Sequence, residues 1–178
     1  MDKIIIIDFG SQYNMLISRR IREMNVCSEV ISYQDKIEYD ENIKGIILSG
    51  GPNSVYDLNS PKLHSSVFDL KVPVLGICYG MQILVDKFGG EVVKGEVREY
   101  GRNKIKIVKD SSLTLGMNKT STVWMSHSDH TEKMPEDFDL LAKSDYAIAI
   151  VKHSHKDIYG VQFHPEVTHT VEGEKMLK

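Results

Sequence analysis

The 178 residues, 41% hydrophobic and 26% charged with a formal net charge of −3, suffice for one globular domain with a sizeable core and exclude disorder, collagen-like and disulfide-rich scaffolds. The slightly acidic balance gives no reason to expect nucleic acid or an anionic membrane as partner, with one local basic cluster at Arg19, Arg20 and Arg22. The isoleucine run after Lys3 is too short for a signal-peptide core or a membrane span, and with only Cys27 and Cys78 and no sign of export the chain reads as a reduced, cytoplasmic thiol protein.

Residues 3–7, KIIII, form a continuous β-branched run that fits a strand covered on both faces. From Ser11 to Met24 the apolar residues fall at helical spacing, and Asn25 supplies a stop. Residues 26–32 and 44–48 read as strands, and SGGPNS at 49–54 as a turn-rich loop. A helix is expected from Pro61 to Leu70, a buried strand at 73–78, and a second helix from Tyr79 to Phe88 ahead of Gly89-Gly90. That alternation predicts an α/β fold: a central, mostly parallel sheet flanked by helices. Segments 91–97, 104–108, 121–125, 147–152 and 158–163 read as strands with few helices between them, hence as antiparallel additions and edge strands in the second half. Residues 173–178, GEKMLK, start a helix that the sequence cuts short, so one domain over 1–178, excised from something longer, is expected.

Chemistry concentrates at Gly76-Ile77-Cys78-Tyr79-Gly80, where a strand runs into a helix. This has the shape of a nucleophile elbow with cysteine at its tip. The glycines permit a tight turn, the tip lies at the carboxyl ends of the strands, and a helix N-terminus favours thiolate over thiol. An inert buried cysteine is the competing reading. Cys27, inside a strand and without flanking glycines, reads as structural.

A thiol nucleophile needs a base, and the base needs an orienter. In Phe163-His164-Pro165-Glu166 a strand ends in histidine, and Pro165 keeps His164 extended. Residues i and i+2 of an extended chain point the same way, so Glu166 can hold the second ring nitrogen of His164. His64, His153 and His155 read as surface or packing residues, and His169 has no clear task. A metal site is not expected, because clustered cysteines and a helix-spaced histidine pair are lacking. Ser49-Gly50-Gly51-Pro52 follows another buried strand, and the N–H of Gly51 could face Cys78 as a second oxyanion donor beside that of Tyr79. The same loop faintly suggests a nucleotide site, but it lacks an aspartate and the chain has no Gly-Lys-Ser/Thr phosphate loop.

Taken in order, SGGP, GICYGMQ, WMSH and GVQFHPE resemble the triad-type, class I glutamine amidotransferases over essentially the whole chain. IDFGSQY at 7–13, REYG at 98–101 and FHPEVTHT at 163–170 are similar to the branch that serves GMP synthetase. The resemblance implies that Cys78 attacks the side-chain amide of L-glutamine, that His164 shuttles the proton and that Glu166 holds His164. It further implies oxyanion N–H groups at Gly51 and Tyr79, and contacts to the amino-acid end of glutamine from Gln82, Ser126, His127, Ser128 and Asp129. Ser128 stands where the family pattern has glycine, so a strained serine is expected if that position needs positive φ.

No cofactor or metal is implied for this chain. Its implied partner is an ATP-pyrophosphatase (synthetase) domain or subunit, where ATP and magnesium serve the amination of xanthosine 5′-phosphate to GMP. Alternatives are a γ-glutamyl cysteine hydrolase, a non-catalytic regulatory relative, or an amidotransferase for another acceptor, against which DFGSQY and REYG argue. Arg19, Arg20 and Arg22 form either a solvated helix face or a docking surface for the synthetase.

Overall fold

A run of isoleucines can be buried on both sides only within a sheet covered on both faces. The computed structural model, which describes residues 1–178, puts that run in β1 (Lys3–Asp8), between parallel neighbours β2 (Cys27–Ser32) and β3 (Ile43–Leu48). Ile5 and Ile7 join one core cluster and Ile6 joins the other, so the alternation along β1 feeds two cores. Burying each of these side chains contributes about 2 kcal/mol.

The strands continue in chain order with β4 (Val74–Ile77), β5 (Glu91–Ile107), β6 (Thr120–Lys133), β7 (Phe138–Lys143), β8 (Ile148–His153) and β9 (Ile158–Val161). All nine form one sheet in the order β2-β1-β3-β4-β9-β8-β7-β5-β6. The helices are α1 (Asn14–Glu23), α2 (Ser66–Asp69), α3 (Tyr79–Lys87) and α4 (Gly173–Leu177). α1 ends where Asn25 adopts φ 63°, a conformation asparagine tolerates better than most residues. No helix is long and apolar enough to cross a membrane.

The first half follows the expected α/β alternation and the second half is antiparallel, with one correction that matters for chemistry. β9 pairs antiparallel with β8 as expected but is not an edge strand: on its other side it pairs in parallel with β4, Gly76 opposite Gly160 and Ile77 opposite Val161, at the centre of the sheet. Gly160 makes this possible, since a Cβ there would lie 2.7 Å from Met81 Cγ of α3. The carboxyl ends of β4 and β9 therefore sit side by side, and each leads into a candidate catalytic residue.

Other boundaries move for local reasons. Segments 91–97 and 104–108 are one strand, because β5 pairs with β6 on through REYG, from Glu99 opposite His127 to Lys106 opposite Thr120. β6 runs well beyond 121–125 for the same reason, and β7 is a strand that the sequence pattern does not announce. The helix expected from Pro61 to Leu70 shrinks to the single turn of α2, and ahead of it Tyr79 Oη donates to the Pro61 carbonyl at 2.9 Å. Cys27 is exposed rather than packed inside.

Candidate active site

β4 delivers Cys78 to the first turn of α3 with φ 53° and ψ −106°, one of three non-glycine residues at positive φ. Strain of this kind costs about 1–3 kcal/mol and persists only where the surroundings enforce it. Here they do. A Cβ on Gly76 would lie 2.6 Å from the carbonyl carbon of Gly80, and one on Gly80 would strike the Leu48 carbonyl. The Cys78 N–H donates to the Val161 carbonyl at 2.8 Å, tying the turn to β9. Around the sulfur, the Ser126 carbonyl and Gln162 Nε2 each lie 3.7 Å from Sγ.

After β9 the chain reaches His164, whose N–H donates to the Trp124 carbonyl at 3.0 Å while its own carbonyl accepts from Thr170 Oγ1 at 2.6 Å. Two residues on, Glu166 Oε1 sits 2.7 Å from His164 Nδ1, and both side chains are buried. With Nδ1 occupied, Nε2 is the ring nitrogen left for Cys78. Gly50 lies between the two groups: a Cβ on it would be 3.2 Å from His164 Cε1 and 3.7 Å from Cys78 Cβ. Burial opposes the imidazolium, but hydrogen bonds to Cys78 and Glu166 outweigh it and push the His164 pKa up to about 10. The arrangement can hold a thiolate against an imidazolium that a buried carboxylate orients.

That shift has a measurable consequence. Folded His164 holds its proton more tightly than the unfolded ring, whose ordinary value is 6.5. Its contribution to stability is therefore complete below the unfolded value and is lost as pH rises through about 10. In an NMR titration of the histidine rings, His164 is expected to keep imidazolium shifts through the neutral range and to move only towards pH 10. A midpoint near neutrality would refute a protonated His164 held between Cys78 and Glu166.

The remaining sequence-predicted residues lie on the loop after β3, on α3 and on β6. The N–H of Gly51 donates to no protein acceptor, and a Cβ there would sit 2.5 Å from the Phe9 carbonyl. Tyr79 is the first residue of α3, so its N–H is one of the donors without an intrahelical acceptor. Gln82 is buried and donates from Nε2 to the Asp129 carbonyl at 3.1 Å and to Gln162 Oε1 at 3.3 Å.

Ser126, His127, Ser128 and Asp129 all lie in β6. Ser128 has no positive φ, so the strain expected for a serine there does not arise. The His127 ring turns inward, donating from Nδ1 to the Asp129 carbonyl at 2.8 Å, with Nε2 3.2 Å from Glu99 Oε2. Burial would raise the Glu99 pKa, but the adjacent His127 ring and the hydroxyl of Ser144 hold it below the usual carboxylate range. Asp129 is clasped by Ser54 Oγ and by Tyr56 Oη, the latter at 3.0 Å.

Gly50, Gln162, Glu99, Ser54 and Tyr56 are the site residues that sequence reading missed. Gly50 and Ser54 lay inside SGGPNS, Glu99 inside REYG and Gln162 inside GVQFHPE without being given a role, and Tyr56 lay in no motif. No three His, Cys, Asp or Glu side chains converge as a metal site. A groove of about 470 Å³ lies at the opposite end of the strands, lined by residues such as Lys44, Pro73 and Met176. Nucleophile geometry rather than cavity size therefore locates the site.

The class-I glutamine amidotransferase family matches residues 5–178. The chain is 46% identical over 178 residues to the glutamine-hydrolyzing GMP synthase of Finegoldia magna and 49% identical to that of Clostridium kluyveri. Each match takes in 98% of this chain but 35% of the relative, so the chain spans about a third of these proteins. Among solved structures, a putative GMP synthase subunit from Thermoplasma acidophilum superposes with a TM-score of 0.87 at 28% identity, covering 99% of this chain and 90% of that one.

Proposed function

The chain belongs to the class-I glutamine amidotransferases, and from that membership we propose that it hydrolyses L-glutamine to glutamate and ammonia on Cys78 for a GMP synthetase. What carries the reading is a nucleophile held at φ 53° beside an imidazole whose other nitrogen is 2.7 Å from a buried carboxylate. The Cys78 thiolate attacks the side-chain amide carbon, and the oxyanion so formed is received by the N–H groups of Gly51 and Tyr79. The C–N bond then breaks, and ammonia departs with a proton from His164. A water molecule gives its proton back to His164 and attacks the γ-glutamyl thioester, releasing glutamate and regenerating the thiolate. Glu166 keeps His164 in one orientation throughout. Gln82, Ser126, His127, Ser128 and Asp129 form the side on which the amino-acid end of glutamine binds, through backbone groups at His127.

Residues 1–178 constitute one amidotransferase domain, working in the cytoplasm without a cofactor of its own. The ammonia passes to a synthetase part that binds ATP and magnesium and aminates xanthosine 5′-phosphate to GMP. The test combines glutamate release from glutamine with acid quenching and peptide mapping. A γ-glutamyl adduct on the Cys78 peptide is expected. Turnover without that adduct, or faster cleavage of γ-glutamyl peptides than of glutamine, would favour a different hydrolase.

A further inference from the structure

One face of β5 is left in solvent. Arg98, Tyr100, Arg102, Lys104 and Lys106 are exposed and alternate with buried Glu99, Ile105 and Ile107. At about 3.3 Å per residue the cations extend over about 26 Å of strand. None of the four has a carboxylate within ion-pair distance. Arg102 reaches only His169, at 3.4 Å. Their cross-strand neighbours bring no negative charge either: Lys104 faces Thr122, Lys106 faces Thr120 on one side and Lys143 on the other, and Arg102 faces Trp124. Tyr100, 61% exposed, stands within the row, and the His169 ring covers Trp124 at 4.8 Å between centroids.

Aligned, unpaired like charges repel one another, and opposite charge brought by a partner relieves that repulsion. This is a local feature of a chain whose formal net charge is −3. It is also placed next to the chemistry. Tyr100 pairs with Ser126, whose carbonyl is 3.7 Å from Cys78 Sγ, and Arg102 pairs with Trp124, whose carbonyl holds the His164 N–H. A body seated on this face lies one strand away from the thiol. Relatives in which this chain matches only 35% of the length have a further body to seat.

We propose that the exposed β5–β6 face, carrying Arg98, Arg102, Lys104 and Lys106, docks an acidic protein surface of the synthetase part. The proposal rests on the reading that this domain feeds ammonia to such a part. Exposed aromatics beside cations could also serve single-stranded nucleic acid. However, Trp124 is already covered by His169, and the face borders a site whose product goes to a protein.

The test uses a full-length chimaera in which this chain replaces the matching segment of the Clostridium kluyveri enzyme. Carbodiimide, which joins amines to carboxylates in direct contact, is expected to link Lys104 or Lys106 to Asp or Glu of the synthetase part. The variant R102E/K104E/K106E should lose at least about tenfold in GMP formation from glutamine, since close charge pairs at interfaces can couple by more than one tenfold step. GMP formation from ammonium chloride and alkylation of Cys78 should stay unchanged. Crosslinks confined to other lysines, or a variant that uses glutamine as well as its parent, would overturn the docking surface. So would tighter binding of a labelled single-stranded RNA than of polyglutamate by this face. Crosslinks at Lys104 or Lys106 in a chimaera that cannot use glutamine would uphold docking while rejecting glutamine hydrolysis.

Discussion

Replacing Cys78 by alanine is expected to cut glutamate release by about 10⁴-fold or more, and replacing it by glycine to do the same while giving the more stable protein of the two. The loss of activity follows from removing the only thiol at the site; Cys27 is exposed at the start of β2, remote in the sheet order from β9. The order of stabilities follows from backbone geometry. At φ 53° and ψ −106° a residue with a Cβ sits in a sparsely populated region of backbone space, and relief of such strain is worth about 1–3 kcal/mol. In the unfolded chain glycine gains entropy over alanine, which works the other way by about 0.4–1 kcal/mol. The strain outweighs it, so thermal unfolding should rank the glycine variant above the alanine variant by a few degrees. This reverses the usual ranking of the two residues. If alanine melts higher, the turn is not strained in solution, and the case for a nucleophile elbow at Cys78 weakens with it.

What could be read from the sequence divides along the range of the interactions. GICYG announces its turn because the residues that crowd one another, Gly76 and Gly80, are four apart. FHPE announces a paired imidazole and carboxylate because two residues of extended chain face one way, and the structure has them 2.7 Å apart. By contrast, the clasp of Asp129 by Ser54 and Tyr56 spans 75 and 73 residues, and no pattern near either end signals it. The pairing of Glu99 with His127 likewise depends on the register of β5 against β6, which hydrophobic alternation alone does not set across a long irregular strand.

β9 is the instructive error. Its composition suits an edge strand as well as a central one, and only Gly160 packed under Met81 explains why it belongs beside β4. That long-range pairing is also what brings His164 to Cys78. The two halves of the candidate site were legible separately, while the reason they meet was not.

The Glu166→Gln variant isolates the electrostatic part of this arrangement. Glutamine has nearly the shape of glutamate and can still accept the Nδ1 hydrogen through its carbonyl, but it carries no charge. One of the two hydrogen bonds that hold the His164 pKa up at about 10 then weakens, along with the carboxylate's attraction for the imidazolium, while burial still opposes the charged ring. The His164 pKa is therefore expected to fall, and the stability once retained up to about pH 10 to be lost at lower pH. Glu166 Oε2 is buried without a protein partner, so the amide N–H₂ placed there would be unsatisfied, at a cost of about 1–3 kcal/mol. Flipping the amide to bring the N–H₂ to His164 would set a donor against the Nδ1 hydrogen, which is worse. Glutamate release should drop by about 10²–10⁴-fold, as when a triad loses the charge that fixes its histidine. Glutamine binding should change little, because Gln82 and the β6 backbone are untouched. Measuring kcat and KM over pH, together with the His164 ring titration, separates this from simple loss of folding. A variant with normal kcat and an unmoved His164 would mean that Glu166 holds the loop in place and contributes nothing to the proton transfer.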